Sequence, residues 1–350
     1  MLDSCFFGAN TPQGFRSEAD ALQSDPSIRR LVILKGGPGC GKSTLMKTLA
    51  REAERLGLRV RRIFCSSDPD SLDGVVVPET GLAVADGTAP HVLEPELCAC
   101  GANYLNLGAY YHDGAALGMA RTLRAEQAAY KACYGPAYAC LSGAAGAERA
   151  MRLIAAPAAE AAEREAMERL RREPLPRGTG TGRVLRCYLT GLTPKGPVSF
   201  EPNAASVWAL RDSFRVGAGL LRRLAERYRS AGHDLILAMD PMDPDSPAGL
   251  LVPELGTAFL RTDPLFTIGQ SALLQLRLDA AAESVLPSAD LERLQALNAI
   301  RAELVSEAVR WLSRAKLHHD ALESLCRPLV DFDGVTGETE RLVKTLLNEE

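Results

Sequence analysis

What the 350-residue chain lacks narrows it first. It has no excess of basic charge: 40 Lys and Arg stand against 44 Asp and Glu, for a net charge of -4. The positive field that marks a nucleic-acid or anionic-membrane binder is therefore missing. Arginine-rich stretches such as RRLAERYRS are interleaved with acids and read as solvated helix faces. No apolar run approaches the roughly 20 residues that span a bilayer. The opening MLDSCFFGANTPQG has no basic stretch ahead of an apolar one, so neither membrane insertion nor secretion is expected. Nine cysteines are scattered without paired metal-ligand spacing. Cys98 and Cys100 are nearest each other, and no second pair or nearby histidine completes a site. The expectation is a cytoplasmic chain with reduced thiols.

What is present is an ordinary globular composition, 46% hydrophobic and 24% charged, in a chain long enough for two domains. It is also written twice. At an offset of 175, DPDSLDGVVVPE (68–79) meets DPDSPAGLLVPE (243–254) with eight of twelve positions identical. The same offset pairs LMKTLAREAERLG (45–57) with LLRRLAERYRSAG (220–232), and VRRIF with LILAM. Collinear matches of this kind point to duplication.

Each half alternates strands and helices, the pattern of βαβ units and parallel sheets flanked by helices. Each then turns Ala/Glu/Arg-rich at helical spacing, over about 113–173 and 270–350, which reads as a helical arm. The expected division is therefore 1–175, a Pro/Gly-punctuated linker at 176–182, and 183–350.

The strongest local signal is GGPGCGKS. Gly36, Gly37, Pro38, Gly39, Cys40, Gly41, Lys42 and Ser43 satisfy G-x-x-x-x-G-K-[ST] at every fixed position, with Thr44 following. Glycines let backbone N–H groups close around a phosphate, and the helix beginning at Lys42 aims its N-terminus at the same anion. Lys42 brings a mobile cation to the β- and γ-phosphates, and Ser43 brings a hydroxyl to Mg²⁺. RLVILK before the loop reads as a buried strand, and STLMKTLAREAERLG after it as an amphipathic helix. Strand–loop–helix is the context this motif requires, so the loop reads as a P-loop.

A metal-binding carboxylate is expected on a neighbouring strand end. Asp86, after LAVA, competes with Asp68 and Asp70, and the repeat discriminates between them. At offset 175 the loop is ruined: Gly36 meets Arg211, Gly41 meets Val216, Lys42 meets Gly217 and Ser43 meets Ala218. Asp86 meets Arg261 and disappears with the loop, whereas Asp68, Asp70 and Glu79 persist as Asp243, Asp245 and Glu254. Asp86 is thereby assigned with Ser43 to the metal. The shared DPDS reads as a capped turn, with the alternative that Asp68 positions a water. His91, in DGTAPH, is a candidate for orienting the γ-phosphate or a surface histidine without that role.

With the loop, CSSDPDSLDGVVVPE, DGTAPH and NLGAYY in hand, the chain resembles a bacterial family of tandem P-loop proteins, best over 1–112 and 186–265. That resemblance implies α/β architecture with two P-loop NTPase-like halves and ATP binding. Members commonly carry a Gly-Lys-Ser/Thr loop in the second half as well, and this chain departs there.

The expectation is one Mg²⁺-ATP site and ATPase chemistry, with Lys42, Asp68, Asp86 and His91 as the reacting or orienting groups. No [NT]-K-x-D guanine-reading motif is present, which favours ATP over GTP. Two alternatives stay open. One is a small-molecule or nucleotide kinase with the 113–173 arm as lid and Arg121 or Arg124 contributing charge. The other is a nucleotide-gated scaffold for an unidentified protein or small-molecule partner. A further alternative pairs the two halves within the chain, with Arg211 or Arg261 reaching the first site.

Overall fold

A computed structural model describes residues 2–97, 100–170, 175–217, 219–269 and 274–348. Cys98, Ala218 and the ends of the expected arms at 171–173, 270–273 and 349–350 lie outside the described residues.

In the first half the strands are β1 (Ser4–Phe6), β2 (Gly8–Thr11), β3 (Gly14–Ser17), β4 (Arg30–Lys35), β5 (Arg61–Phe64), β6 (Leu72–Val77), β7 (Leu82–Asp86) and β8 (Ala102–Asn106). Its helices are α1 (Ala21–Ser24), α2 (Lys42–Arg55), α3 (Asp113–Ala132) and α4 (Tyr134–Leu170). The second half supplies β9 (Val184–Cys187), β10 (Thr190–Thr193), β11 (Gly196–Ser199), β12 (Ser206–Arg211), β13 (Leu235–Asp240), β14 (Asp243–Val252), β15 (Thr257–Thr262) and β16 (Leu274–Arg277). Its helices are α5 (Leu220–Ser230), α6 (Asp279–Val285), α7 (Ser288–Cys326) and α8 (Phe332–Asn348). Among the described residues no helix is long and apolar enough to cross a membrane.

Each half contributes one six-stranded sheet, in the orders β1-β5-β6-β7-β4-β8 and β16-β12-β15-β14-β13-β9. The two orders are mirror listings of one topology, which supports the duplication. The sheets are mostly parallel but mixed, and this corrects the expectation of parallel sheets. β6 runs antiparallel to β5 and β7, and β14 antiparallel to β13 and β15. The reason is the length of the connections. Residues 65–71 and 78–81 are too few for a crossover, which needs a dozen or more, so the chain turns back as hairpins.

The compact units are assembled across the linear division. One consists of 3–8, 17–136 and 310–350, and the other of 9–16 and 137–309. The arm written after the first half, α4, thus belongs with the second sheet. Its Met151, Ala155, Ala158, Ala162 and Ala166 share a core with Leu210, Leu221, Leu224 and Phe259. The arm written after the second half belongs, from residue 310 on, with the first sheet, where Val330 and Val335 join the core of Leu34, Leu45, Leu49, Val75 and Val84. Helix α2 forms because its apolar residues fall on one stripe: Leu45, Met46, Leu49, Ala50 and Ala53 are all buried. Each large aliphatic side chain taken fully from water there contributes about 1.5–3 kcal/mol.

Candidate functional site

The glycine-rich loop 36–41 joins the C-terminal end of β4 to the first turn of α2. Gly39 and Gly41 hold left-handed backbone, with φ of 74° and 93°. This is where a side chain is penalised and glycine is not. The loop is closely packed: a Cβ added at Gly36 would lie 2.6 Å from Cys40 Sγ, and one at Gly39 would lie 3.0 Å from the Glu323 carbonyl oxygen. Tyr111 donates its hydroxyl to the Pro38 carbonyl at 2.5 Å and lies over Gly37. Burial pushes the Tyr111 phenol up from its ordinary value, so it stays a donor. Cys40 is buried, which raises its thiol pKa. Thr44 is exposed on the first turn of α2 and shares a shallow basic recess with Lys47, Arg51 and Arg62.

Lys42 curls back over the loop. Its Nζ donates to the carbonyls of Gly36 (2.8 Å) and Gly37 (3.1 Å) and stands 3.7 Å from Asp86 Oδ2. Parallel pairing of β4 with β7, Leu34 opposite Asp86, brings that carboxylate to the loop. Thr88 then fixes it, its N–H and hydroxyl both donating to Asp86 Oδ1 at 2.8 and 2.6 Å. Lys35 secures the following segment by donating to the carbonyls of Gly87 and Leu93. Ser43 Oγ accepts the N–H of Leu72 at 3.0 Å, which ties the loop to β6.

Lys42 and Asp86 are therefore brought together, while the other two candidates each have partners of their own. Asp68 caps its own turn, accepting from Ser71 Oγ at 2.7 Å, and stands 3.6 Å from Lys316. The second half repeats the turn bond, Ser246 Oγ to Asp243 at 3.1 Å. Glu79 pairs with Arg59, while its counterpart Glu254 meets His233 and Thr179. His91 is buried and its Nε2 lies 3.1 Å from Asp73 Oδ2. Arg121 and Arg124 are exposed on α3.

Two residues beside this site escaped the sequence reading, Asp73 and Cys65. Burial raises the Asp73 carboxyl from its ordinary value, His91 opposes that shift and the Asp86 charge adds to it. Burial likewise pushes the Cys65 thiol well up, with Asp73 adding. No spacing in the sequence marks them; the fold places Asp73 there, since Gly74 faces Ala85 and Asp73 and Asp86 lie one step further along the same antiparallel pair.

In the second unit, strand pairing changes the alignment of the two loops. Leu34 faces Asp86, whereas Leu210 faces Arg261. The offset is 175 on β7 and β15 but 176 on β4 and β12, and the second loop is one residue shorter before its helix. Gly36 therefore matches Asp212, not Arg211, and Gly41 matches Gly217, not Val216. Gly39 matches Arg215, which keeps the left-handed backbone at φ 62°.

The second loop binds its own carboxylates. Asp212 accepts the N–H groups of Val216 (2.7 Å) and Gly217 (3.1 Å), and Asp279 accepts that of Phe214 (3.1 Å). Around it lies a buried ionic cluster. Arg215 meets Glu148, Asp240 and Asp263, Arg301 meets Glu148 and Asp263, and Arg261 meets Asp240. Burial opposes the charge on Asp263, but Arg215 and Arg301 hold its carboxyl down to about 2.

A family model described as Nephrocystin 3, N-terminal, matches residues 15–75, the stretch from β3 through the glycine-rich loop to β6. No curated protein and no solved structure matches the chain.

Proposed function

We propose that the glycine-rich loop is a P-loop that binds Mg²⁺-ATP, and that the first unit is a Mg²⁺-dependent ATPase. The observation that carries this reading is the convergence of three features. A loop with left-handed glycines at 39 and 41 opens helix α2, Lys42 lies over it, and Asp86 stands 3.7 Å from that lysine on the next strand.

The residues fit the group. Backbone N–H groups and the α2 N-terminus suit phosphate oxygens. Lys42, now held by two loop carbonyls, exchanges them for the β- and γ-phosphates. Ser43 and Asp86 would hold Mg²⁺, which is usually bound through one or two protein oxygens plus phosphates and waters. Thr88 leaves Asp86 Oδ2 directed at Lys42 by engaging the other oxygen. The bound ion supplies charge neutralisation between the phosphates. Asp68 and His91 remain candidates for orienting the attacking water. The expected setting is cytoplasmic.

The test is Mg²⁺-ATP binding by calorimetry, and phosphate release without added acceptor, for the full chain and Lys42→Ala. Charge-assisted hydrogen bonds contribute about 1.5–3 kcal/mol, so a loss of roughly 10- to 150-fold in affinity is expected, with turnover abolished. Binding and turnover unaffected by the substitution would overturn the proposal.

A further inference from the structure

Next to this site three side chains of different chemistry meet, and two of them, Cys65 and Asp73, have no part in the phosphate chemistry proposed above. Cys65 follows β5, Asp73 is the second residue of β6, and His91 closes the segment after β7. Their ligand atoms, one sulfur, one oxygen and one nitrogen, all lie within 4.8 Å of one another. In a tetrahedral ion with bonds of about 2.0–2.3 Å, neighbouring ligand atoms stand roughly 3.3–3.8 Å apart, so only a small contraction is required.

Each donor is held by backbone rather than left to a mobile loop. The N–H of Cys65 donates to the Ser71 carbonyl at 3.1 Å, closing the DPDS turn. Asp73 lies in the β6 ladder between Leu72 and Gly74, and the N–H of His91 donates to the Thr88 carbonyl at 2.9 Å. Within the cluster, Asp73 Oδ2 is fully buried and makes an ion-pair contact with His91 Nε2 at 3.1 Å, but no aligned hydrogen bond satisfies it. The three donors thus already face one another, and a cation among them would satisfy the buried carboxylate oxygen.

The duplication supplies an independent observation. The β5–β6 and β13–β14 ladders keep a common offset of 175, Ile63–Gly74 matching Ala238–Gly249. At that offset Cys65, Asp73 and His91 become Asp240, Ala248 and Phe266. The thiol is replaced by a carboxylate, and the carboxylate and the imidazole by apolar side chains, in the half that also lacks the lysine and the loop hydroxyl. The turn beside them, whose bond both halves keep, is not lost.

We propose that Cys65, Asp73 and His91 form a zinc-class metal site in the first unit, with three protein donors and a fourth position open to water. The donor set decides the ion. Thiolate and imidazole suit borderline cations such as Zn²⁺ or Co²⁺, whereas Mg²⁺ takes oxygen ligands in octahedral geometry. The site is therefore chemically separate from the Mg²⁺ position at Ser43 and Asp86. Its effect on the fold is to join the segment carrying Thr88, which orients Asp86, to the β5–β6 hairpin.

The test uses the purified full chain equilibrated with Zn²⁺ or Co²⁺ and freed of loose ion by gel filtration. About one zinc per chain is expected by elemental analysis. The cobalt form should show a thiolate-to-cobalt charge-transfer band and the intense visible bands of a tetrahedral site. Cys65→Ser should abolish the charge-transfer band, and Asp73→Asn and His91→Ala should weaken metal binding by at least about 10-fold. His319→Ala is the control for the other cluster of possible ligands, His319, Asp320 and Glu323, and should leave the metal in place. Lys42→Ala should also keep the metal while losing nucleotide, so failure of one proposal is distinguishable from failure of the other. A wild-type chain that retains no zinc and gives no charge-transfer band would overturn the site, whatever the variants do to folding. So would a folded Cys65→Ser chain with an unchanged cobalt spectrum.

Discussion

The loops at 36–41 and 212–217 are two answers to one physical problem. Each follows a strand, precedes a helix and places a left-handed residue at matching positions, Gly39 and Arg215. A loop of that shape gathers N–H groups that need an anion. In the second unit the anion is the protein's own: Asp212 and Asp279 take three loop N–H groups, and the space beyond is filled by Arg215 and its acidic partners. In the first unit the residue in the Asp212 position is Gly36, which has no side chain to offer. The difference teaches that the second loop is not left open: it is closed by the chain's own carboxylates, and its ionic cluster is core.

The largest expected effect follows from that distinction. Arg301 is fully buried between Glu148 and Asp263, with hydrogen bonds of 2.9 and 3.1 Å. Arg301→Ala would leave two buried carboxylates, Glu148 and Asp263, sharing Arg215 as their remaining cation. Breaking such a pair from one side costs about 3–5 kcal/mol, far more than the pair's own net stabilisation. Urea unfolding should show that loss, whereas an exposed pair such as Arg169–Glu165 should contribute at most about 1 kcal/mol. A cost below that for Arg301→Ala would mean the cluster is not core.

Acid should discriminate the same way. The Asp263 carboxyl titrates near 2 in the folded chain, below its ordinary 3.8. A depressed folded pKa gives stability that is present above the unfolded value and lost as pH falls from about 4 to about 2. The expected size is on the order of 2 kcal/mol. Asp212 and Asp279 are raised by burial and work in the opposite sense over their own range. The check is unfolding free energy against pH for the wild type and Asp263→Asn. The variant should be less stable at neutral pH and flatter below pH 4, and parallel curves would contradict the assignment.

What the sequence made legible were the features that are local or written at fixed spacing. The loop residues, the strand before them, the stripe of α2 and the repeat itself could all be read without a fold. So could the placing of Asp86 near the loop, because its absence from the second copy coincides with that of Lys42. The antiparallel setting of β6 and β14 was obscured by the expectation that alternating elements make parallel sheets; the short segment 65–71 was the countersignal. The exchange of arms was not legible, since an Ala-rich amphipathic helix such as α4 does not specify which apolar sheet it covers. Cys65, Asp73 and His91 carry no paired spacing, and only the hairpin and the turn at Asp68–Ser71 bring them together. The role of Asp212 was hidden by a single residue, because β4 and the loop match their counterparts at an offset of 176, one more than the 175 of the matched segments that reveal the repeat.

The smallest effect tests the shared backbone most directly. Arg215 carries a side chain at φ 62°, so a left-handed residue other than glycine is tolerated at this register when its side chain has compensating partners. Gly39→Ala has no such partners. Its backbone cost is about 1–2 kcal/mol, and its Cβ would meet the Glu323 carbonyl oxygen at 3.0 Å. Loss of stability within that range, together with weaker Mg²⁺-ATP binding, is the expected outcome by thermal unfolding and calorimetry. If Gly39→Ala lowers affinity without lowering stability, the backbone is as tolerant in the first loop as in the second. The glycine would then be required by the nucleotide and not by the fold. If neither changes, the claim that this loop closes around an anion fails, because a methyl group at its tightest turn would have met nothing.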